Sequence, residues 1–157
     1  MPYRLQAEGS NMVHVKKSKI KNAGKGLFAK KAIKKGTHIC LYFGVLVPRE
    51  QVYEGFYESD YLLEQKGNDW IIDSADPLSC LGRYANDSLS LQKSNTDFGF
   101  YEKPFSGFLY ATRNIKKGEE LYVSYGINYW MSVKEKNAVS YKSLPQSEKT
   151  WIIQQQQ

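Results

Sequence analysis

The sequence predicts a single, mainly β domain with short helices, and three observations lead there. Short runs rich in β-branched and aromatic residues recur along the chain, bounded by Gly, Asn or Pro clusters. A length of 157 residues fits one compact domain. Hydrophobic residues at 41%, with aromatics at 14%, supply enough apolar surface for one core.

The expected strands are Val13 to Val15, His38 to Val47, Trp70 to Asp73, Phe108 to Ala111 and Leu121 to Tyr125. Pro48 suits the first turn of a helix running from Arg49 towards Tyr57, although Gly55 weakens its end. A second short helix is expected from Ser132 to Ala138, and Gln154 to Gln157 read as a frayed tail. One segment recurs in outline: Ala29 to Gly36 (AKKAIKKG) returns as Ala111 to Gly118 (ATRNIKKG), each copy between two strands. An Ile flanked by basic residues and closed by Gly suits an exposed tight turn whose apolar side chain plugs the core.

The net charge of +6 is unevenly placed. Residues 1–49 hold eleven Lys or Arg and one acid, Glu8. Residues 50–76 invert the balance, with eight acids against Lys66. The first stretch suits an anion such as nucleic acid and the second a cationic peptide, although an ordinary solvated face explains the first better and the second equally well. No run of about 18 apolar residues is present, and residues 1–11 lack the apolar segment of a secretory signal. Membrane spanning and secretion are therefore not expected. Cys40 and Cys80 lack C-x-x-C spacing, and His14 and His38 stand apart, so no metal site is expected.

Three motifs carry chemistry. Gly24-Lys25-Gly26, followed by Phe28, lets a ligand approach the backbone closely, though alone it reads as a hairpin turn. Arg83-Tyr84-Ala85-Asn86-Asp87-Ser88 pairs a cation for a carboxylate with an amide for an ammonium, though alone it reads as an Asx turn. Glu119 to Gly126 ends on Tyr125-Gly126, setting a phenol at a strand end where backbone carbonyls run out of partners; alone it reads as a core strand.

Taken in order, these segments resemble the SET domain, in which a G-x-G strand opens the fold, an R-x-x-N-H-S segment follows and an E-x-x-x-x-Y-G strand closes it. The resemblance runs from about Met12 to Trp130. It sets residues 1–11 apart as an extension, 12–130 as the domain, 131–153 as a flank that closes a lysine channel and 154–157 as a tail. It implies several small β-sheets with a knot-like crossing of the last motif, and S-adenosylmethionine-dependent methylation of a protein lysine. Lys25, Gly26 and Phe28 would contact the cofactor through backbone, Arg83 and Asn86 would hold its methionine end, the Asp87 backbone its adenine, and Trp130 would cover the ring. Tyr125 would align the reaction, with Tyr61, Tyr42 and Tyr129 as channel walls. Val123, two residues before Tyr125, would leave room for di- or trimethylation unless Tyr84 or Tyr110 fills the space.

Two departures stand out. Asp87 replaces the usual His, and the cysteine cluster of zinc-containing members is absent. The implied partner is a basic protein or peptide, a histone tail first, with a nucleosome or DNA contact through the basic N-terminal part. A histone substrate would make the protein intracellular and nuclear. The alternative is a SET-like module that binds a basic tail without catalysis, a reading that Asp87 favours.

Overall fold

The computed structural model describes residues 8–90, 92–102 and 105–125. Strands dominate these residues and form three antiparallel three-stranded sheets. In the first, β1 (Val13–Lys17) pairs with β2 (Lys25–Ala29) from Val13–Ala29 to Lys17–Lys25. The chain turns between them with Asn22 and Gly24 at positive φ, 64° and 71°, a conformation glycine adopts without steric cost and asparagine tolerates. The far edge of β2 is closed by β9 (Glu120–Leu121). With neighbours on both edges, Leu27, Phe28 and Ala29 are all buried.

The second sheet orders β3 (His38–Tyr42), β8 (Phe105–Ala111) and β7 (Thr96–Glu102). The third orders β4 (Val45–Pro48), β6 (Trp70–Asp73) and β5 (Leu62–Glu64). The single strand expected over His38 to Val47 is thus two strands in different sheets. Gly44 lies in the break, so close to β6 that a Cβ there would stand 1.9 Å from the Asp73 carbonyl oxygen. Helix α1 (Arg49–Tyr53) is shorter than expected, because Gly55 takes φ 82° and the amides of Phe56 and Tyr57 turn back to the Gln51 carbonyl. The expected Leu121 to Tyr125 strand keeps only its first residue in the ladder. Beyond it, Tyr122 bridges Asn86 in parallel fashion. The segments 132–138 and 154–157 lie outside the described residues.

The repeated turns face one another. Ile33 and Ile115 exchange both backbone hydrogen bonds at 2.8 Å, Gly36 N donates to Ala111 O and Gly118 N donates to Ala29 O. Equivalent residues of the two copies thus occupy equivalent places about an approximate two-fold, and both glycines have positive φ, 85° and 88°. Ile33 and Ile115 enter the main core with Leu27, Ile39, Leu109 and Leu121. A smaller cluster of Tyr42, Ile72 and Cys80, flanked by Leu63, Phe98, Phe100 and Phe105, packs beside the cavity described next.

Candidate functional site

The middle and last motifs run side by side. Val123 N donates to Asn86 O at 2.9 Å, and Tyr125 N donates to Asp87 Oδ2 at 2.9 Å. The Tyr125 hydroxyl donates to Ala85 O at 2.7 Å and lies 3.5 Å from Asn86 Oδ1. Asn86 reaches the first motif as well, its Nδ2 donating to Lys25 O at 2.9 Å. A short 3-10 turn, Gly82–Tyr84, delivers the middle motif, and Gly82 is required there because a Cβ would meet Leu41 O at 2.9 Å.

Between these segments lies a cavity of about 750 Å³, lined by Asn22 to Lys25, Asp60 to Leu63, Arg83 to Asp87, Tyr125 and others. Its size is within the range that encloses a cofactor-sized ligand. Tyr42, Tyr61, Tyr84 and Phe98 give it an aromatic wall. Tyr42 meets Phe98 edge to face with centroids 5.5 Å apart, and its hydroxyl donates to Tyr61 O at 2.7 Å. Burial, with smaller effects from Cys80 and Tyr125, pushes the Tyr42 phenol well above its ordinary pKa, so it stays neutral.

Arg83 is buried in the same wall, where its Nε donates to Ser74 O at 2.8 Å and its Nη2 to Ala75 O at 3.1 Å. Its guanidinium carbon stands 4.0 Å from the Tyr61 ring centre and 4.8 Å from that of Tyr84. The cation therefore reaches the cavity with two of its donors already engaged by backbone.

Lys25, Arg83, Asn86, Asp87, Tyr42, Tyr61 and Tyr125 come together around this space. Gly26 and Phe28 do not line it. Gly26 packs against the Glu120 carboxylate, where a Cβ would stand 2.2 Å from Oε1. Phe28 is buried inside its sheet, with Lys16 and Lys19 Nζ 5.5 and 6.0 Å from its ring centre. Val123 is buried in the main core and does not line the cavity, whereas Tyr84 does, and Tyr110 packs near Phe108. Tyr129 and Trp130 lie outside the described residues. Sequence reasoning missed Phe98 and Asn22 as wall residues, and it assigned Glu120, inside the closing motif, no role. That carboxylate, 3% exposed, accepts from Ser18 Oγ at 2.6 Å, Lys19 N at 2.9 Å and Tyr122 Oη at 3.0 Å.

The family model described as the SET domain matches residues 24–126. The chain belongs to the SET-domain family. A comparison with curated proteins finds no match. SET domains are in general protein-lysine methyltransferases, or modules of that build, and the enzymes use S-adenosylmethionine. In this SET domain β1 precedes the matched segment yet pairs along its whole length with β2.

The residues present fit that cofactor. Around Gly24 the space is open, with nothing within 4 Å of where a Cβ would point. The cavity offers backbone on two sides, an amide at Asn86 and a cation at Arg83 for an amino-acid headgroup. Among the described residues no group of His, Cys, Asp or Glu is placed to hold a metal, and both cysteines are buried free thiols.

Proposed function

We propose that this SET domain methylates the ε-amine of a lysine in a basic protein segment, with a histone tail as the leading substrate. The carrying observation is that all three motifs meet at one cavity with the Tyr125 hydroxyl on its wall. S-adenosylmethionine, when bound, supplies a methyl group on a sulfonium. The chain's own residues handle the amine.

Lysine ordinarily has a pKa of about 10.4, and only its neutral form attacks carbon. Asp60, exposed at the cavity rim, attracts the cationic side chain on arrival. Deeper in, the largely apolar wall of Tyr42, Tyr61 and Phe98 disfavours ammonium by desolvation. The Tyr125 hydroxyl, whose hydrogen points to Ala85 O, presents an oxygen able to accept from the amine N–H and orient its lone pair. Alignment of this kind is worth up to about 7 to 11 kcal/mol in ideal cases.

A second reading, a SET-like module that binds a basic tail without turnover, draws on the two Arg83 donors committed to backbone. Labelled S-adenosylmethionine with a panel of histones and peptides, followed by site mapping, separates the two. Labelling of a defined lysine supports the enzyme. Calorimetry with chelator present adds a direct test: folded protein that gives no heat with millimolar cofactor or its demethylated product overturns the enzyme reading. A histone substrate also requires nuclear residence, which imaging of the tagged protein reports.

A further inference from the structure

The two repeated turns lie far apart in sequence and adjacent in space. The Ile33–Ile115 bridge joins their backs, and Lys35 N donates across to Asn114 Oδ1 at 2.9 Å. Their outer surface therefore merges two basic runs. Lys31, Lys34, Lys35, Lys116 and Lys117 are exposed there. Lys30 reaches back to Ser10 O at 2.8 Å, and Arg113 pairs at 3.5 Å with Glu119, which directly follows the second turn; neither turn contains an acid.

We propose that these paired turns are a docking surface for the phosphate backbone of duplex DNA, separate from the cavity. Lys25 at one end of β2 lines the cavity and Ala29 at the other end leads into the first turn. Four steps of extended chain, about 13 Å, separate them, so both surfaces can be occupied at once.

What the turns lack identifies the partner. Ile33 and Ile115 are 3% and 1% exposed, and none of the large exposed apolar side chains among the described residues belongs to either turn. A protein interface centres on aromatic and apolar anchors and is depleted in lysine. A polybasic patch alone holds a protein only weakly to an anionic membrane, since stable anchoring takes a second signal such as an apolar face or a lipid chain. Single-stranded nucleic acid is held by stacking on aromatics. A ridge of lysines held on a fixed backbone, with neither apolar nor aromatic members, suits contact with duplex phosphates and carries no base-reading groups.

The test is fluorescence anisotropy of the full chain with a labelled duplex of roughly 20 base pairs and arbitrary sequence. One variant carries Lys34→Gln, Lys35→Gln, Lys116→Gln and Lys117→Gln. A charge-matched control carries Lys17→Gln, Lys21→Gln, Lys66→Gln and Lys93→Gln, all exposed and outside the turns. Each neutralised phosphate contact contributes about 0.9 to the slope of log affinity against log salt, so the turn variant should flatten that slope by about 3 to 4. Between about 50 and 200 mM salt the wild-type chain should then lose roughly 100-fold more affinity than the turn variant. The control should stay close to the wild type, and the same four turn positions changed to Arg should retain binding. Equal losses in the two Gln variants, loss in the Arg variant, or tighter binding of single strands than of duplex would overturn the proposal.

Discussion

Position 87 departs from the family's usual histidine, and the structure gives the aspartate a use. Its Oδ1 accepts from Leu89 N at 2.8 Å and its Oδ2 from Tyr125 N at 2.9 Å, so one carboxylate pins the segment that presents the phenol. It also allows Leu89 to hold φ 58°, which is unfavourable for a leucine. Asp87→Asn keeps one acceptor and turns a donor towards the other amide. We expect it to lower stability by about 1 to 3 kcal/mol, read by denaturant titration, and to lower turnover by loosening Tyr125. Tyr125→Phe should lower turnover by roughly 10² to 10⁴, as for loss of a positioned catalytic group. Because the hydroxyl also donates to Ala85 O, the same variant should lose about 1 kcal/mol of stability. Near-normal methyl transfer by the Phe variant would leave Tyr125 a structural residue. The motif residues of this site were legible in the sequence because close spacing marks them: Lys25, Arg83, Asn86, Asp87 and Tyr125 all reach the cavity wall. Phe98 arrives from a segment whose direction only tertiary packing sets, and Glu120, inside the closing motif, had no assigned role because its partners Ser18 and Lys19 are about a hundred residues away.

Between α1 and β6 the acidic stretch divides into working parts. Glu64 pairs with Arg49 at 3.0 Å and accepts from the Tyr53 hydroxyl at 2.6 Å, so it braces the stretch. Asp73, buried, accepts from Tyr57, Ser59 and Ala75. Asp60, exposed, lines the cavity and is the acid of this stretch placed for a basic peptide to meet there. Asp60→Asn should therefore raise KM for a basic peptide and leave cofactor affinity alone. The difference should shrink as salt rises, since screening acts over about 8 to 10 Å at working ionic strength. An unchanged KM would place the peptide elsewhere. On the first sheet, burial and the hydrogen bond to Glu120 lift the Tyr122 phenol from 10 to about 12. The unfolded chain loses that proton first, so this contribution is complete below pH 10 and is lost as pH rises towards about 12. Tyr122→Phe should flatten the alkaline limb of stability against pH. Element by element, β1, β6 and the end of β8 were legible from β-branched and aromatic runs. The break between β3 and β4 was not, because it comes from the approach of Gly44 to the Asp73 backbone, a contact outside any local pattern. β7 carried an alternation at Phe98 and Phe100 that its polar neighbours and Gly99 obscured.

At the scale of the whole molecule, the mainly β class and the pairing of distant motifs follow from strand pattern and motif order, while the three-sheet arrangement comes from long-range register. No described cluster suits a metal, and the two thiols are buried. Chelator should leave the thermal midpoint of the protein unchanged, and a fall in that midpoint would reveal a structural ion. The first sheet also has a consequence for how the chain reaches its fold. Its central strand β2 takes its second edge from β9, and Ser18 meets Glu120 across 102 residues of sequence. Until residues 115–121 leave the ribosome, the β1–β2 hairpin stands alone, and an isolated two-stranded hairpin is at best marginally stable in water. Contacts of such long range form late and slowly, since the loop must close before they reward it. The lysine-rich first third of the chain is therefore synthesised well before it can fold, and its like charges keep that waiting segment extended and apart from its copies.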